Sequence, residues 1–258
     1  WGPGGGLVAE LPYGLPGPRY ALTYAPNGER VAVSDGTGYL ELWPNNQGRT
    51  ACIGKAGVPE TTGLAYLDDT LLAVGTGGRA RSEPGSLALW DLTAAKRRSP
   101  VHTEPHGVRA VASHRESRTV FWVNGHRRLS AWSITKPDPI HLMLKHVAPA
   151  LAVHPDGNLA AVAQGWGASV LDLSRKQERF AIAGHKGVLS SLAFTPDGRT
   201  LLTGSWDSSV RFWDAASGAE LASYRWPVGR VYAVAASPDG TRFAAAGETG
   251  AIVVWDAD

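Results

Sequence analysis

The residues of this 258-residue chain best suited to metal or acid–base chemistry are eight histidines: His102, His106, His114, His126, His141, His146, His154 and His185. A zinc site needs three or four converging ligands, usually with a close pair on one element. His102 and His106 have a four-residue spacing, but Thr103-Glu104-Pro105 lies between them, and a proline there excludes the helix that would put both imidazoles on one face. The single cysteine, Cys52, permits neither an internal disulfide nor a cysteine-cluster metal site, and it points to a reducing, cytoplasmic location. Gly75-Thr76-Gly77-Gly78 lacks the spacing of a phosphate loop, and Gly54-Lys55-Ala56 lacks both the hydroxyl and the upstream glycine. No Gly-x-Ser-x-Gly elbow is present. The histidines therefore read as ordinary loop residues, and neither a catalytic residue, a metal nor a cofactor is expected. The other chemistry on offer is aromatic, for the chain carries ten tryptophans.

The elements that hold these residues must be short. Apolar residues make up 43% of the chain and charged residues 19%, with 31 glycines and 17 prolines. That profile suits strands joined by tight turns better than long helices. A formal charge of +2 makes no bulk electrostatic case for nucleic acid or an anionic membrane. No apolar run approaches the ~18 residues of a membrane helix. The start, Trp1-Gly2-Pro3-Gly4-Gly5-Gly6, has neither the basic opening nor the apolar stretch of a secretory signal, and with no initiator Met it reads as a trimmed domain or processed product.

Tryptophans that follow an apolar stretch and precede a turn are Trp1, Trp43, Trp90, Trp132, Trp213 and Trp255, spaced by 42, 47, 42, 81 and 42 residues. The gap of 81 is two periods, with Leu171-Asp172 at the missing mark. Seven marks at one phase enclose six periods, the signature of a repeat architecture. A second marker runs at the same period: Pro26-Asn27-Gly28, Pro155-Asp156-Gly157, Pro196-Asp197-Gly198 and Pro238-Asp239-Gly240. Proline presets φ at the first corner, Asx caps the turn, and glycine takes the positive φ that ends it. Each period reads as four short strands. One such sheet cannot bury both faces alone, but stacking against its neighbours around a ring does so.

On these residues the chain resembles the WD-repeat family, whose fold is the β-propeller. The fifth repeat carries the whole signature: Gly184-His185, Pro196-Asp197-Gly198, Trp206-Asp207 and Trp213-Asp214. The resemblance implies a structural tetrad of His185, Thr203, Asp207 and Trp213, hydrogen-bonded so as to stiffen the blade. The other repeats depart from the pattern. The sixth has Trp226-Pro227 for Gly-His and Thr249 for the turn Asp; the third has His126 at the Asp position; the fourth has Leu171 for Trp; the second has a longer hairpin, Gly77 to Gly85, and lacks the Pro-Asp-Gly turn. The expected fold is all-β: a single six-bladed propeller over 1–258 with four-stranded antiparallel blades at about 12–54, 55–99, 100–140, 141–182, 183–224 and 225–258 plus 1–11. Residues Leu7–Leu11 are expected to supply the last blade's outer strand and close the ring, leaving no open edge; an incomplete seven-bladed ring is the alternative.

Propeller hydrolases place carboxylates or metal ligands on the innermost strands, expected here near 20–25, 61–66, 108–113, 147–153, 188–194 and 230–236. None of these segments contains Asp or Glu, so channel acid–base chemistry has no carboxylate to use. Trp122, within Val120-Phe121-Trp122-Val123, reads as inter-blade core. The hairpins and lead-in loops of this fold open on one face, the top. There stand Trp166, Trp206 and Trp226, Arg230 and Tyr232 of blade six, Arg79, Arg81 and Glu83 of the second hairpin, and His126 with Arg127 of the third. Trp, Tyr and Arg are the types enriched in binding hot spots; alternatively each Trp folds back over its own hairpin. The basic turns Lys96-Arg97-Arg98 and Arg175, Lys176 and Arg179 belong to the opposite face and read as solvated. The leading expectation is a non-catalytic interaction, scaffold or sensor ring, monomeric, binding another protein or a fused domain on its top face. The Ala-, Arg- and Gly-rich composition resembles that of high-GC bacterial chains, where such rings are joined to kinases or effector enzymes. The alternatives are a nucleic-acid-binding propeller using its basic turns, and an enzyme with a channel active site.

Overall fold

Each period of the chain folds as an antiparallel meander, because short apolar-rich runs, 3–9 residues as strands, are separated by turn residues. The computed structural model describes residues 19–35, 39–44, 51–55, 61–77, 84–136 and 138–256. Contacts divide the chain into two compact units, Trp1–Gly107 and Val108–Asp258.

The first unit holds blade 1, with β1 (Arg19–Tyr24), β2 (Arg30–Asp35), β3 (Tyr39–Pro44) and β4 (Ala51–Lys55), and blade 2, with β5 (Thr61–Asp68), β6 (Leu71–Thr76), β7 (Gly85–Asp91) and β8 (Lys96–Glu104). Their shared core joins Ala32, Leu40 and Leu42 to Leu64, Tyr66, Leu72, Val74 and Trp90. The second unit holds blade 3, with β9 (Val108–His114), β10 (Thr119–Asn124), β11 (Arg128–Ser133) and β12 (Ile140–Met143). Blade 4 follows, with β13 (Leu151–Val153), β14 (Leu159–Gln164), β15 (Gly167–Asp172) and β16 (Gln177–Ile182). Blade 5 has β17 (Leu189–Phe194), β18 (Thr200–Ser205), β19 (Ser209–Asp214) and β20 (Glu220–Arg225), and blade 6 has β21 (Val231–Ala236), β22 (Arg242–Gly247) and β23 (Ile252–Asp256). The fold class is the all-β six-bladed propeller, with no helix among the described residues. Blade 6 has three strands among those residues; Leu7–Leu11, expected to supply the fourth, lies outside them, as does Trp1.

Middle strands are apolar on both faces, because a blade lies between two neighbours. Ala160, Ala161, Val162 and Ala163 of β14 are all fully buried, as are Leu201 and Leu202 of β18. One face of blade 4 (Ala161, Ala163, Ala168, Val170) receives Leu189, Leu201 and Trp213 of blade 5; its other face (Ala160, Val162, Leu171) receives Phe121, Val123 and Leu129 of blade 3. Small alanines opposite a Trp let the sheets interdigitate without voids. Blade 5 turns Leu202, Val210 and Phe212 onto Val231, Val234 and Phe243 of blade 6. Outer strands β12 and β20 are largely exposed. Trp122 is fully buried.

The marker residues explain the turns. Asn27, Asp156, Asp197 and Asp239 each accept the N–H two residues on, at 2.8–3.0 Å, and the following glycines have φ between 70° and 74°. At the Trp–Asp step, Asp91 accepts from Thr93 and Ala94 and pairs with Arg98, Asp172 accepts from Ser174 and Arg175, and Asp214 from Ser217. Asp68 closes β5, beyond the carboxylate-free stretch 61–66, and caps Thr70 and Leu71.

Candidate functional site

Blade 5 places a polar chain inside its apolar sheet. His185, just ahead of β17, directs Nδ1 to Asp207 Oδ2 at 3.1 Å and Nε2 to Thr203 Oγ1 at 2.7 Å, and Trp213 Nε1 donates to the same Thr203 oxygen at 2.8 Å. A carboxylate only accepts, so Nδ1 carries the proton. Nε2 then accepts from the Thr203 hydroxyl, whose oxygen accepts from the indole. The His185 and Asp207 side chains are 1% and 5% exposed, a depth at which every polar atom needs a partner. Burial pushes the His185 pKa below its usual value despite the Asp207 charge, which keeps the ring neutral. Burial alone would raise Asp207, but hydrogen bonds from Ser209 and the Lys186 N–H, with the imidazole, hold it well below the carboxylate range. The paired, neutral-plus-anion arrangement has no open face toward solvent, so it supports the hairpin and offers no general base to a ligand.

That hairpin belongs to a rim along one edge of blades 3 to 6, where the loops are linked end to end. Arg127 Nη1 donates to Lys145 O at 3.3 Å, and the His146 N–H to Gln164 Oε1 at 3.2 Å. The Leu189 N–H donates to Gly165 O and the Trp206 N–H to Val188 O, both at 2.9 Å. Arg225 Nη1 reaches Asp207 O at 2.8 Å. The Arg230 guanidinium then lies over the Trp206 ring, 5.4 Å from its centroid, with Nε 3.9 Å from Glu248 Oε2. Hairpins of blades 3, 4 and 5 are thus tied to the loops that lead into blades 4, 5 and 6.

The expected rim residues divide. Trp166 is 64% exposed, Tyr232 49% and Trp206 45%, and Arg230, His126 and Arg127 are exposed. Trp206 and Arg230 come together, whereas Trp226 does not join them. Its ring lies 4.1 Å from Trp255 and 5.5 Å from Tyr224 in a ladder that continues to Phe243 and Phe212. With proline and Trp in place of Gly-His, blade 6 fills the position by stacking. In blade 3 the hairpin is capped by the buried Asn124, which accepts from the His126 and Arg128 N–H groups; His126 itself is exposed. Arg79, Arg81 and Glu83 lie outside the described residues. No group of three His, Cys, Asp or Glu suited to a metal occurs among the described residues.

A family profile for the WD domain, G-beta repeat, matches residues 176–214 and 219–256. Both matches end on the Trp–Asp step of a third strand, in phase with the tetrad blade and its successor. These two segments are WD repeats, and the chain as a whole resembles the WD-repeat family. It is similar to mouse Telomerase protein component 1, 28% identical over 257 residues (91% of this chain, 9% of that protein). It is also similar to Protein groucho of Drosophila melanogaster, 29% identical over 156 residues (57% and 21%), and to human WD repeat-containing protein 36, 32% identical over 92 residues (35% and 10%). The chain spans about a tenth to a fifth of the length of these relatives.

The WD-repeat frame also exposes two histidines that composition treats as loop residues. His114 Nε2 bonds Pro155 O at 2.8 Å, and His154 Nε2 bonds Gly198 O at 2.9 Å. Each closes the first strand of one blade onto the Pro-Asp-Gly turn of the next. Their spacing of 40 residues, one period, was the signal available.

Proposed function

We propose that this WD-repeat ring is a non-catalytic interaction module that captures a protein partner, or a domain joined to it, on the hairpin rim of blades 3 to 6. The Trp206–Arg230–Glu248 stack, with an exposed Trp166 on the hairpin of the preceding blade, carries the reading. A stacked, ion-paired arginine beside exposed indoles is a rigid aromatic–cation surface, the composition of interface hot spots. The basic turns give less support to a nucleic-acid reading, because Arg98 is held by Asp91 and Arg175 lies 3.9 Å from Asp172. The composition favours a bacterial source and the single cysteine a cytoplasmic one; the relatives named above come from mouse, fly and human. No helix of the described residues is long and apolar enough to cross a membrane.

Pull-down with Trp166→Ala and Trp206→Ala tests the rim. Truncating a hot-spot indole costs about 2 kcal/mol or more, so each variant is expected to lose most partner capture while keeping the wild-type circular dichroism. Undiminished capture by both ends the proposal.

A further inference from the structure

The rim is ordered as well as exposed. Following its linked loops from blade 3 to blade 6, the exposed side chains include Arg127, Lys145, His146, Trp166, Lys186, Trp206, Arg230 and Glu248, so basic and aromatic groups stand together along this edge. Carboxylates nearby already have partners. Asp207 is buried on His185, Glu178 binds Lys145 Nζ at 2.9 Å and Ser169 Oγ at 2.8 Å, and Glu248 stands against Arg230. Arg127 and Lys186 have no carboxylate among those three acids. The edge therefore carries surplus positive charge between its indoles, although the chain as a whole carries only +2.

We infer that the partner presents an acidic, extended peptide segment whose rim-facing side chains, every second residue, alternate between carboxylates and apolar or aromatic groups. This rests on the rim reading above. Charge complementarity decides the sign of the partner. In an extended segment, same-face side chains recur every second residue at ~6.6 Å, so one face of such a segment carries both the groups that suit cations and those that suit indoles. Glu248 beside Arg230 disfavours a continuous phosphate backbone, which a nucleic acid would bring to every position.

The test is fluorescence anisotropy with three labelled probes: a peptide repeating Glu-Ser-Phe-Ser, the same peptide with Gln for every Glu, and an oligouridylate. The full chain is compared with the Arg127→Glu/Lys186→Glu double variant and with Trp206→Ala, all three checked for wild-type circular dichroism. The wild type is expected to bind the Glu peptide about tenfold more tightly than the Gln peptide, a ratio that the double variant abolishes. Equal affinity for the two peptides, no binding of the Glu peptide, or tighter binding of the oligouridylate overturns the inference. If the Gln peptide binds as well as the Glu peptide and Trp206→Ala weakens both, the rim stands and only its preference for acid falls. If Trp206→Ala changes neither, the rim reading fails with it.

Discussion

His185 shows how a single buried ring sets a pH limit. Its pKa lies below the ordinary 6.5 because burial disfavours the imidazolium. Between that folded value and 6.5 the unfolded chain takes a proton that the native chain refuses. The unfolded state then binds more protons, so stability from this group is complete above 6.5 and is lost as pH falls below it. Asp207 acts in a lower window: its folded pKa is under the ordinary 3.8, so its contribution is present above that value and drains away on further acidification. His185→Gln is expected to cost about 1–3 kcal/mol at neutral pH, because Thr203 and Asp207 lose a buried partner. It should also flatten the wild-type decline in thermal midpoint between neutral pH and about pH 5. Thermal unfolding by circular dichroism across that range gives the comparison, and equal slopes for variant and wild type would show that the ring is not the titrating group. The signature Gly184-His185 with Asp207 made the residue types legible in the sequence. The direction of the proton on Nδ1 follows only from the carboxylate that faces it.

At the scale of elements, blades are latched through their turns, and the glycines there answer to two demands. Gly157 and Gly198 have φ of 74° and 72°, as a Pro-Asp-Gly turn requires. In addition, a Cβ on Gly157 would stand 2.7 Å from the His114 ring, and one on Gly198 2.3 Å from the His154 ring, each in the preceding blade. Gly198→Ala therefore combines backbone strain of about 1 kcal/mol with a clash against a ring that also meets Phe194 edge-on at 5.1 Å. His154→Ala removes both the obstacle and the bond to Gly198 O. The double variant should thus be less destabilised than the sum of the singles by about 1 kcal/mol or more. Urea-denaturation midpoints of the four proteins measure the coupling, and additivity would mean that the turn tolerates the methyl without touching His154. The turn itself was legible, since proline, Asx and glycine act on their own neighbours. The second demand was not, because the ring that imposes it sits 44 residues earlier. The same distinction separates the tryptophans. Trp166 and Trp206 stand in hairpins whose exposure follows from their position in the repeat, whereas Trp226 is decided by Trp255, 29 residues on.

For the whole molecule, the Trp phase made six sheets legible, but the division into two units after Gly107 has no mark in composition, because every repeat has nearly the same length and texture. What the sheets share is a nearest-neighbour logic: in stacked repeats each unit is stabilised by itself and by the interfaces on either side. Within the second unit those interfaces are separate cores. Blade 5 gives Trp213, Leu189 and Leu201 to the core with blade 4, and Leu202, Val210 and Phe212 to the core with blade 6, while blade 3 shares its described core with blade 4. Thr203 stands at the centre of blade 5, accepting from Trp213 and bonded to His185. Thr203→Val keeps the shape but leaves the indole N–H and the imidazole without their partner, at a cost of about 1–3 kcal/mol. In hydrogen exchange the largest loss of protection is expected in β18 and β19, a smaller loss in β14 and β22 across the two interfaces, and none in β10. Thr203→Val protection lost equally from β10 would instead mean that blades 3 to 6 open as one cooperative unit, with their interfaces stronger than the blades they join.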